Sequence, residues 1–235
     1  MILYYYVTKD YIMQLTETVQ QVLKNFASIN PNIVVEPGNV VRTLAEGKNI
    51  FGKATIDVNF PIKFGVYDLN EFLGVLGLVD NPELTFEDSH VNVGDSIGRS
   101  KIRYFFTDAN NLTSPQKDLV MPSSDVTMHI GNDTLNKIKR AASVLGHSEL
   151  SIKPNNGSIS LTVFDSGNPT SNTFSIEVDG QYTCDDFNFI ISIGNLKLLP
   201  GDYNVSISSK LISHFVNSTT DAEYWIALEK SSTYN

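Results

Sequence analysis

The sequence predicts an α+β fold of two similar halves, each with two helices packed on antiparallel sheets. Amphipathic helical segments alternate with groups of β-type runs, and the order of helix, strands, helix and strands occurs twice along 235 residues. Segment 111–124, rich in Asn, Ser and Pro, has little periodic apolar content. A chain of this length can bury two cores. We therefore predict domains over 13–110 and 125–235, joined by a linker over 111–124.

The first predicted helix spans residues 16–30. Lys24 lies near the middle of its polar face, and a threonine at position 16 or 18 can cap its start by accepting a backbone N–H. Pro31 ends the helix, because proline disfavours the helical conformation in the residue before it. The apolar residues of the opposite face, at helical spacing, are Val19, Val22, Leu23 and Phe26.

Short β-type runs follow this helix, and a second helix is predicted over 68–79. Asp68 and Glu71 have the spacing of a capping box. The exposed face of the second helix carries no basic residue, only Asn70, Gly74 and Gly77. The strands predicted in this half are 33–36, 40–45, 50–58, 61–66, 83–87, 90–94 and 101–107.

The second half begins with a strand over 126–130 and a third helix over 134–145. Asp133 can cap this helix, and Gly146 is typical of a helix end. Arg140 lies central on its polar face. A short helical turn is predicted over 195–198, before Pro200-Gly201. The other strands predicted here are 149–153, 157–164, 173–178, 187–192, 203–208, 211–216 and 222–229.

Composition excludes several classes of protein. No apolar run approaches the ~20 residues of a membrane helix, and a single cysteine excludes an internal disulfide and a cysteine-rich zinc site. The four histidines have no ligand spacing, and the chain lacks nucleotide-binding glycine loops and a nucleophile elbow. We predict no enzymatic activity, no cofactor and no metal site, and a cytoplasmic location. A catalytic site assembled from distant residues stays open as an alternative.

The net charge of −9 argues against a protein that grips DNA by affinity, but not against one that is held on DNA by topology. Basic residues lie on the polar faces of three of the four predicted helical units. Taken one by one, each could simply be solvated. The candidates for contact with DNA are Lys24, Lys137, Lys139, Arg140 and Lys197.

Four stretches of the chain resemble the sliding clamps of T-even-type tailed bacteriophages. They are LKNFASIN (23–30), VYDLNEFLGVLGLV (66–79), FNFIISIGNLKLLPGDYNV (187–205) and EYWIALEKSST (223–233). The resemblance runs from about residue 13 to the end. Residues 1–12, with three consecutive tyrosines, have no counterpart and are interpreted as an N-terminal extension, the alternative being an extra edge strand.

The resemblance implies a homotrimeric ring of two-domain subunits, with the DNA clamp fold, that encircles duplex DNA without sequence preference. It implies loading by an ATP-driven clamp loader and tethering of the replicative polymerase, for processive synthesis, through the polymerase's C-terminal peptide. It also implies late-transcription activation through a sigma-like factor, in the cytoplasm of the infected bacterial host. The second domain is expected to contribute more of the DNA contact, because the second helix lacks positive charge and Glu17 lies near Lys24.

Ring closure by edge strands is expected, since an unpaired edge is a template for another chain. By analogy with clamps, segment 101–107 is expected to pair with 173–178 of the next subunit. The interface residues would be Ile102, Tyr104, Phe106, Phe174 and Ile176; the alternative is that they belong to the ordinary core. The alternative function is a non-enzymatic phage structural or interaction protein that does not bind DNA.

Overall fold

The computed structural model describes residues 12–115 and 117–235, which divide into two compact units. Unit 1 contains the residues up to Val41 together with Ile56–Ser114, and unit 2 contains Arg42–Thr55 together with Pro115–Asn235. The segment Arg42–Thr55, expected within 13–110, groups with unit 2 because its second strand pairs with residues 222–226.

Unit 1 has two helices, α1 (Glu17–Ile29) and α2 (Leu69–Leu76), and a 3-10 turn at Ala109–Asn111. Two long strands, β3 (Gly38–Leu44) and β4 (Ile50–Phe60), form a hairpin whose tip belongs to unit 2. The other strands are β1 (Ile12–Met13), β2 (Ile33–Val35), β5 (Phe64–Val66), β6 (Glu83–Phe86), β7 (His90–Gly94) and β8 (Lys101–Phe105).

Four of these strands form an antiparallel sheet in the order β1-β6-β7-β8, which leaves β8 at an edge. Ile12 pairs with Thr85 in this sheet. The last residue of the predicted N-terminal extension is therefore part of unit 1, and residues 1–11 lie outside the described residues.

The predicted helix caps of unit 1 are confirmed. The Thr16 hydroxyl accepts from the Val19 N–H at 3.3 Å, and the Asp68 carboxylate accepts from the N–H groups of Asn70 and Glu71 at 2.9 and 3.2 Å. Each bond satisfies a backbone donor that a helix start leaves without a partner. The buried face of α1 includes all four predicted apolar residues, with Phe26 fully buried.

Unit 2 has one α-helix, α3 (Asn132–Leu145), and a 3-10 turn at Ile193–Asn195. Its strands are β9 (Val126–Ile130), β10 (Glu149–Asn155), β11 (Ser158–Phe164), β12 (Phe174–Val178), β13 (Gly180–Tyr182), β14 (Phe187–Ser192), β15 (Tyr203–Ser208), β16 (Ile212–Asn217), β17 (Ala222–Ala227) and β18 (Thr233–Tyr234). One sheet has the order β12-β11-β10-β14-β18, with β12 at its edge, and the other has the order β13-β9-β15-β16-β17-β4-β3.

Two predictions about unit 2 are wrong. Asp133 does not cap α3, since the helix begins at Asn132, two residues earlier than predicted, and Asp202 accepts from the Asn132 N–H at 2.7 Å. The short helical turn predicted over 195–198 is a 3-10 turn that lies at Ile193–Asn195 instead, so the described residues contain three α-helices and not two in each half. Burial alternates through Leu196, Lys197 and Leu198, which is the pattern of an extended chain.

Candidate nucleic-acid interface

Helix α3 presents its basic residues on the side away from the core. Arg140 and Lys137 are exposed, whereas Leu135, Ile138 and Ala142 are buried. Lys137 forms an ion pair with Asp133 one turn earlier, at 3.2 Å. No ion pair to Arg140 is found among the described residues. Arg140 is thus the basic residue of α3 best placed to receive an external anion.

Lys139 differs from its two neighbours on α3. It is only partly exposed, since it lies on the flank of the helix beside the buried stripe. Burial lowers the pKa of its ammonium group. Its aliphatic stem can cover apolar surface while the charged end reaches solvent, so its contribution to an anion site is smaller.

Lys197 is held by a buried segment that sequence reasoning did not find. It is exposed, with leucines buried on both sides. The Tyr203 hydroxyl donates to the carbonyl of Leu199 at 2.7 Å, and the Leu199 N–H donates to the Tyr224 hydroxyl at 3.4 Å. Both tyrosines are fully buried, and burial raises the pKa of Tyr203 to about 12.

Unit 1 offers less positive charge. Lys24 is exposed on α1 and lines a groove of about 460 Å³ between α1 and α2. The charged residues of this groove are one acid and one base, Glu17 and Lys24. The other lining residues are neutral: Gln20, Gln21, Asn70, Leu73 and Gly74. A phosphate would therefore meet almost no net positive charge here.

The predicted interface strand of unit 1 is the edge strand β8. Tyr104 packs on Phe72 of α2 with ring centroids 5.2 Å apart, and Phe106 packs on Phe64 at 4.8 Å. With Ile102, these side chains are half-buried. They contribute to the core of unit 1 and still leave surface at the open edge.

The predicted interface strand of unit 2 is the edge strand β12. Phe174 and Ile176 are half-buried, while Glu177, the residue after Ile176, is exposed. Phe174 also lines a groove of about 480 Å³ with side chains of α3: Lys137, Arg140, Ala141, Val144 and Leu145. Thus α3 lies against the face of β12 that carries Phe174.

An ion-pair network of unit 2 was also missed by sequence reasoning. Asp118 of the predicted linker accepts from Arg42 at 2.7 Å and lies 3.5 Å from Lys53, which pairs with Glu223 at 3.1 Å. The ring of His214 extends this network through a hydrogen bond to the Glu223 carboxylate at 2.9 Å. The network ties the linker to the sheet, and its members are too far apart in sequence for a local pattern to reveal.

Neither a metal centre nor a membrane segment is found among residues 12–115 and 117–235. No group of three or more His, Cys, Asp or Glu side chains is arranged to hold a metal ion. The described helices are also too short or too polar to cross a bilayer.

Two family models match the chain, "DNA polymerase processivity factor" over residues 16–113 and "gp45 sliding clamp, C terminal" over 127–230. The sliding clamp of Vibrio phage KVP40 is 33% identical over 223 residues, covering 92% of this chain and 99% of that protein. The chain belongs to the phage sliding-clamp family. The sliding clamps of Escherichia phage RB69 and Enterobacteria phage T4 are each 29% identical over 232 residues, covering 95% of this clamp and all of theirs.

Solved structures show the same fold. The proliferating cell nuclear antigen of Entamoeba histolytica superposes with a TM-score of 0.65 at 16% identity, over 89% of this clamp and 94% of that chain. The DNA polymerase III β chain of Streptococcus pneumoniae has a TM-score of 0.65 at 15% identity, over 98% and 67% of the two chains. The predicted α+β clamp fold is confirmed, and the protein is a sliding clamp of the processivity-factor type.

Proposed function

We propose that this clamp is a homotrimeric ring of two-domain subunits that encircles duplex DNA and tethers the replicative polymerase for processive synthesis. Its domains would be 13–110 and 125–235, joined by the linker 111–124, with the hairpin tip Arg42–Thr55 grouping with the second domain and Ile12 of the proposed extension 1–12 already part of the first. The observation that carries the proposal is the placement of basic residues. In a chain of net charge −9, Lys24, Arg140 and Lys197 stand exposed, the first two on helix faces opposite the core.

The contacts with DNA would go to phosphates, which carry no sequence information, so the ring could slide. A sparse set of cations suits this role, because many simultaneous ion pairs would hold the ring in place. The acidic remainder would repel DNA from other surfaces. The proposed DNA-facing residues are Lys24, Lys137, Lys139, Arg140 and Lys197, with unit 2 contributing more than unit 1.

The ring would close through pairing of β8 with β12 of the next subunit. Each strand lies at the edge of its sheet, where unpaired backbone groups can accept another strand. The proposed interface residues are Ile102, Tyr104, Phe106, Phe174 and Ile176, whose half-buried side chains would become fully buried on pairing.

The proposed partners beyond DNA and self are a clamp-loader ATPase, the polymerase's C-terminal peptide and a sigma-like late-transcription factor. The clamp would act in the cytoplasm of the infected bacterial host, without a membrane, a cofactor or an enzymatic activity of its own. Support for these partners comes from the family resemblance.

Retention on DNA tests the topological proposal. The clamp, loaded by its loader, is expected to stay on nicked circular DNA during gel filtration and to be lost once the circle is cut. Equal retention on circular and linear DNA would contradict encirclement. A monomer that is retained on neither DNA would instead favour the structural or interaction protein.

The matched variants Lys197→Glu and Lys153→Glu test the DNA-facing assignment. Both replace an exposed lysine of unit 2, and Lys153 lies on strand β10. We expect Lys197→Glu clamps to slide off the ends of linear DNA faster than the wild type and with a weaker dependence on salt, because fewer phosphate contacts are made and fewer counterions are displaced. Lys153→Glu should behave as the wild type. Equal behaviour of the two variants would remove Lys197 from the set.

A further inference from the structure

Unit 2 has an apolar groove that nothing within the unit fills. It lies between α3 and the edge strand β12, and its apolar lining consists of Ala141, Val144, Leu145 and Phe174. Val144 is 77% exposed, which is costly for an aliphatic side chain. Lys137 and Arg140 also line the groove. A fitting occupant would therefore combine apolar surface with negative charge.

Unit 1 carries a surface of that kind beside its own edge strand. The Tyr104 hydroxyl of β8 donates to the carboxylate of Glu71 and to the backbone carbonyl of Asp68, both at 3.4 Å. Glu71 is exposed, and Tyr67, directly before the cap of α2, is 70% exposed. The first turn of α2 thus carries an exposed carboxylate that contacts β8, and an exposed aromatic ring directly precedes the helix cap.

Strand geometry determines which surfaces meet if the two edges pair. Side chains alternate between the faces of a strand. On β8 the face with Tyr104 contacts α2, and on β12 the face with Phe174 contacts α3. Joining β8 of one subunit to β12 of the next would make one continuous sheet across the two subunits. Helix α2 of the first subunit and α3 of the second would then be neighbours on the same face of that sheet.

The opposite face of the two edges is also complementary in charge. β8 exposes Lys101 and Arg103 there, while β12 exposes Glu177. Opposite charges on paired strands are favourable and like charges are unfavourable. The charges on both faces therefore favour pairing of the β8 edge of one copy with the β12 edge of another. Pairing of β8 with β8 or of β12 with β12 would bring like charges together.

We propose that the first turn of α2 of a second copy covers the groove, with Glu71 of that copy pairing with Arg140 and Lys137, which both line the groove. The proposal rests on the ring closure proposed above and deepens it. It assigns Arg140 to the subunit contact as well as to DNA. Because Arg140 would then contact both the next subunit and DNA, closure of the ring would change the positive charge that DNA meets on its inner surface.

A charge swap measured without DNA tests this contact. Glu71→Arg and Arg140→Glu alone should each weaken the trimer, and the double variant should restore it. A partly exposed ion pair is worth up to about 1 kcal/mol, or about 5-fold per interface. For a ring with three equal interfaces, we expect the trimer association constant to fall by about 100-fold. Analytical ultracentrifugation over a concentration series measures this constant.

Two further variants keep the test independent of the DNA contacts. Lys153→Glu changes the charge equally but lies on β10, and should leave association unchanged. Val144→Asn should weaken the trimer through the apolar part of the groove, with unfolding by urea unaltered. Single variants with wild-type association, or a swap that restores nothing, would overturn the proposal while leaving the ring intact. A wild type that stays monomeric at all concentrations would instead overturn the ring itself.

Discussion

The Tyr203 hydroxyl is expected to stabilise the segment that presents Lys197. Tyr203 is fully buried, and its hydroxyl donates to the Leu199 carbonyl at 2.7 Å. The variant Tyr203→Phe keeps the ring but leaves this carbonyl buried without that donor, which costs about 1–3 kcal/mol. With an m-value of about 2 kcal/mol/M, the urea midpoint should fall by about 0.5–1.5 M at pH 7.

The same hydroxyl predicts a dependence on pH. Burial raises the pKa of Tyr203 to about 12, against about 10 in an unfolded chain. Folding therefore favours the protonated phenol. The stability that the protonated form contributes is fully present below pH 10 and is lost as pH rises from 10 to 12. Two pKa units correspond to about 3 kcal/mol. The wild type should thus lose its advantage over Tyr203→Phe across this interval.

Urea unfolding of both proteins at pH 7, 9, 10 and 11, followed by far-UV circular dichroism, measures the difference. The control is Tyr67→Phe, which removes a hydroxyl from a side chain that is 70% exposed and should leave the midpoint unchanged at pH 7. A Tyr203→Phe midpoint equal to that of the wild type at pH 7 would refute the hydrogen-bond argument. A difference that stays constant up to pH 11 would refute the argument from burial.

Three further predictions concern pH and backbone. Burial against Trp225 lowers the pKa of His214, so the stability that its neutral form gives the folded protein is lost as pH falls below about 6.5. Between pH 7.5 and pH 5.0 the melting temperature of His214→Gln should therefore fall less than that of the wild type. Gly180→Ala should lower the free energy of unfolding by about 1–3 kcal/mol, because the new methyl would lie 2.6 Å from the Thr127 carbonyl oxygen; an unchanged urea midpoint would contradict this. Gly74 is exposed within α2, and a methyl group added there would meet no neighbouring atom within 4 Å. Gly74→Ala should therefore raise the free energy of unfolding by about 0.5–1 kcal/mol; a decrease would mean that the glycine has a structural role.

The helices α1 and α2 could be predicted from sequence because their signals are local. Apolar spacing, a capping side chain and a terminating residue all lie within 16 consecutive positions. The start of α3 could not be predicted in this way, since Asp202, which receives its first N–H, is 70 positions away. The short helical turn predicted over 195–198 lies at Ile193–Asn195 for a related reason. Tyr203 and Tyr224 hold the 196–199 segment in an extended form through contacts that no helical period reports.

The candidate site could be predicted only in part. Spacing alone placed Lys24 and Arg140 on exposed helix faces, because the buried stripe of a helix determines its opposite side. It could not separate Lys139 from them, since partial burial depends on neighbouring elements. Nor could it reveal the groove between α3 and β12, which requires helix and strand to be in contact. Residue type and period locate a charged face, whereas tertiary packing determines what that face can bind.

The uneven charge of the two units bears on how a ring of acidic subunits would slide. The groove of unit 1 is lined by one base and one acid, Lys24 and Glu17, and is otherwise neutral, whereas α3 of unit 2 carries exposed Lys137 and Arg140. Around a closed ring, stronger and weaker anion sites would then alternate. Phosphate contacts release counterions in proportion to their number, so a few separated contacts give weak attraction. Topology would then supply the persistence on DNA that attraction alone does not, and an acidic chain can serve as a clamp.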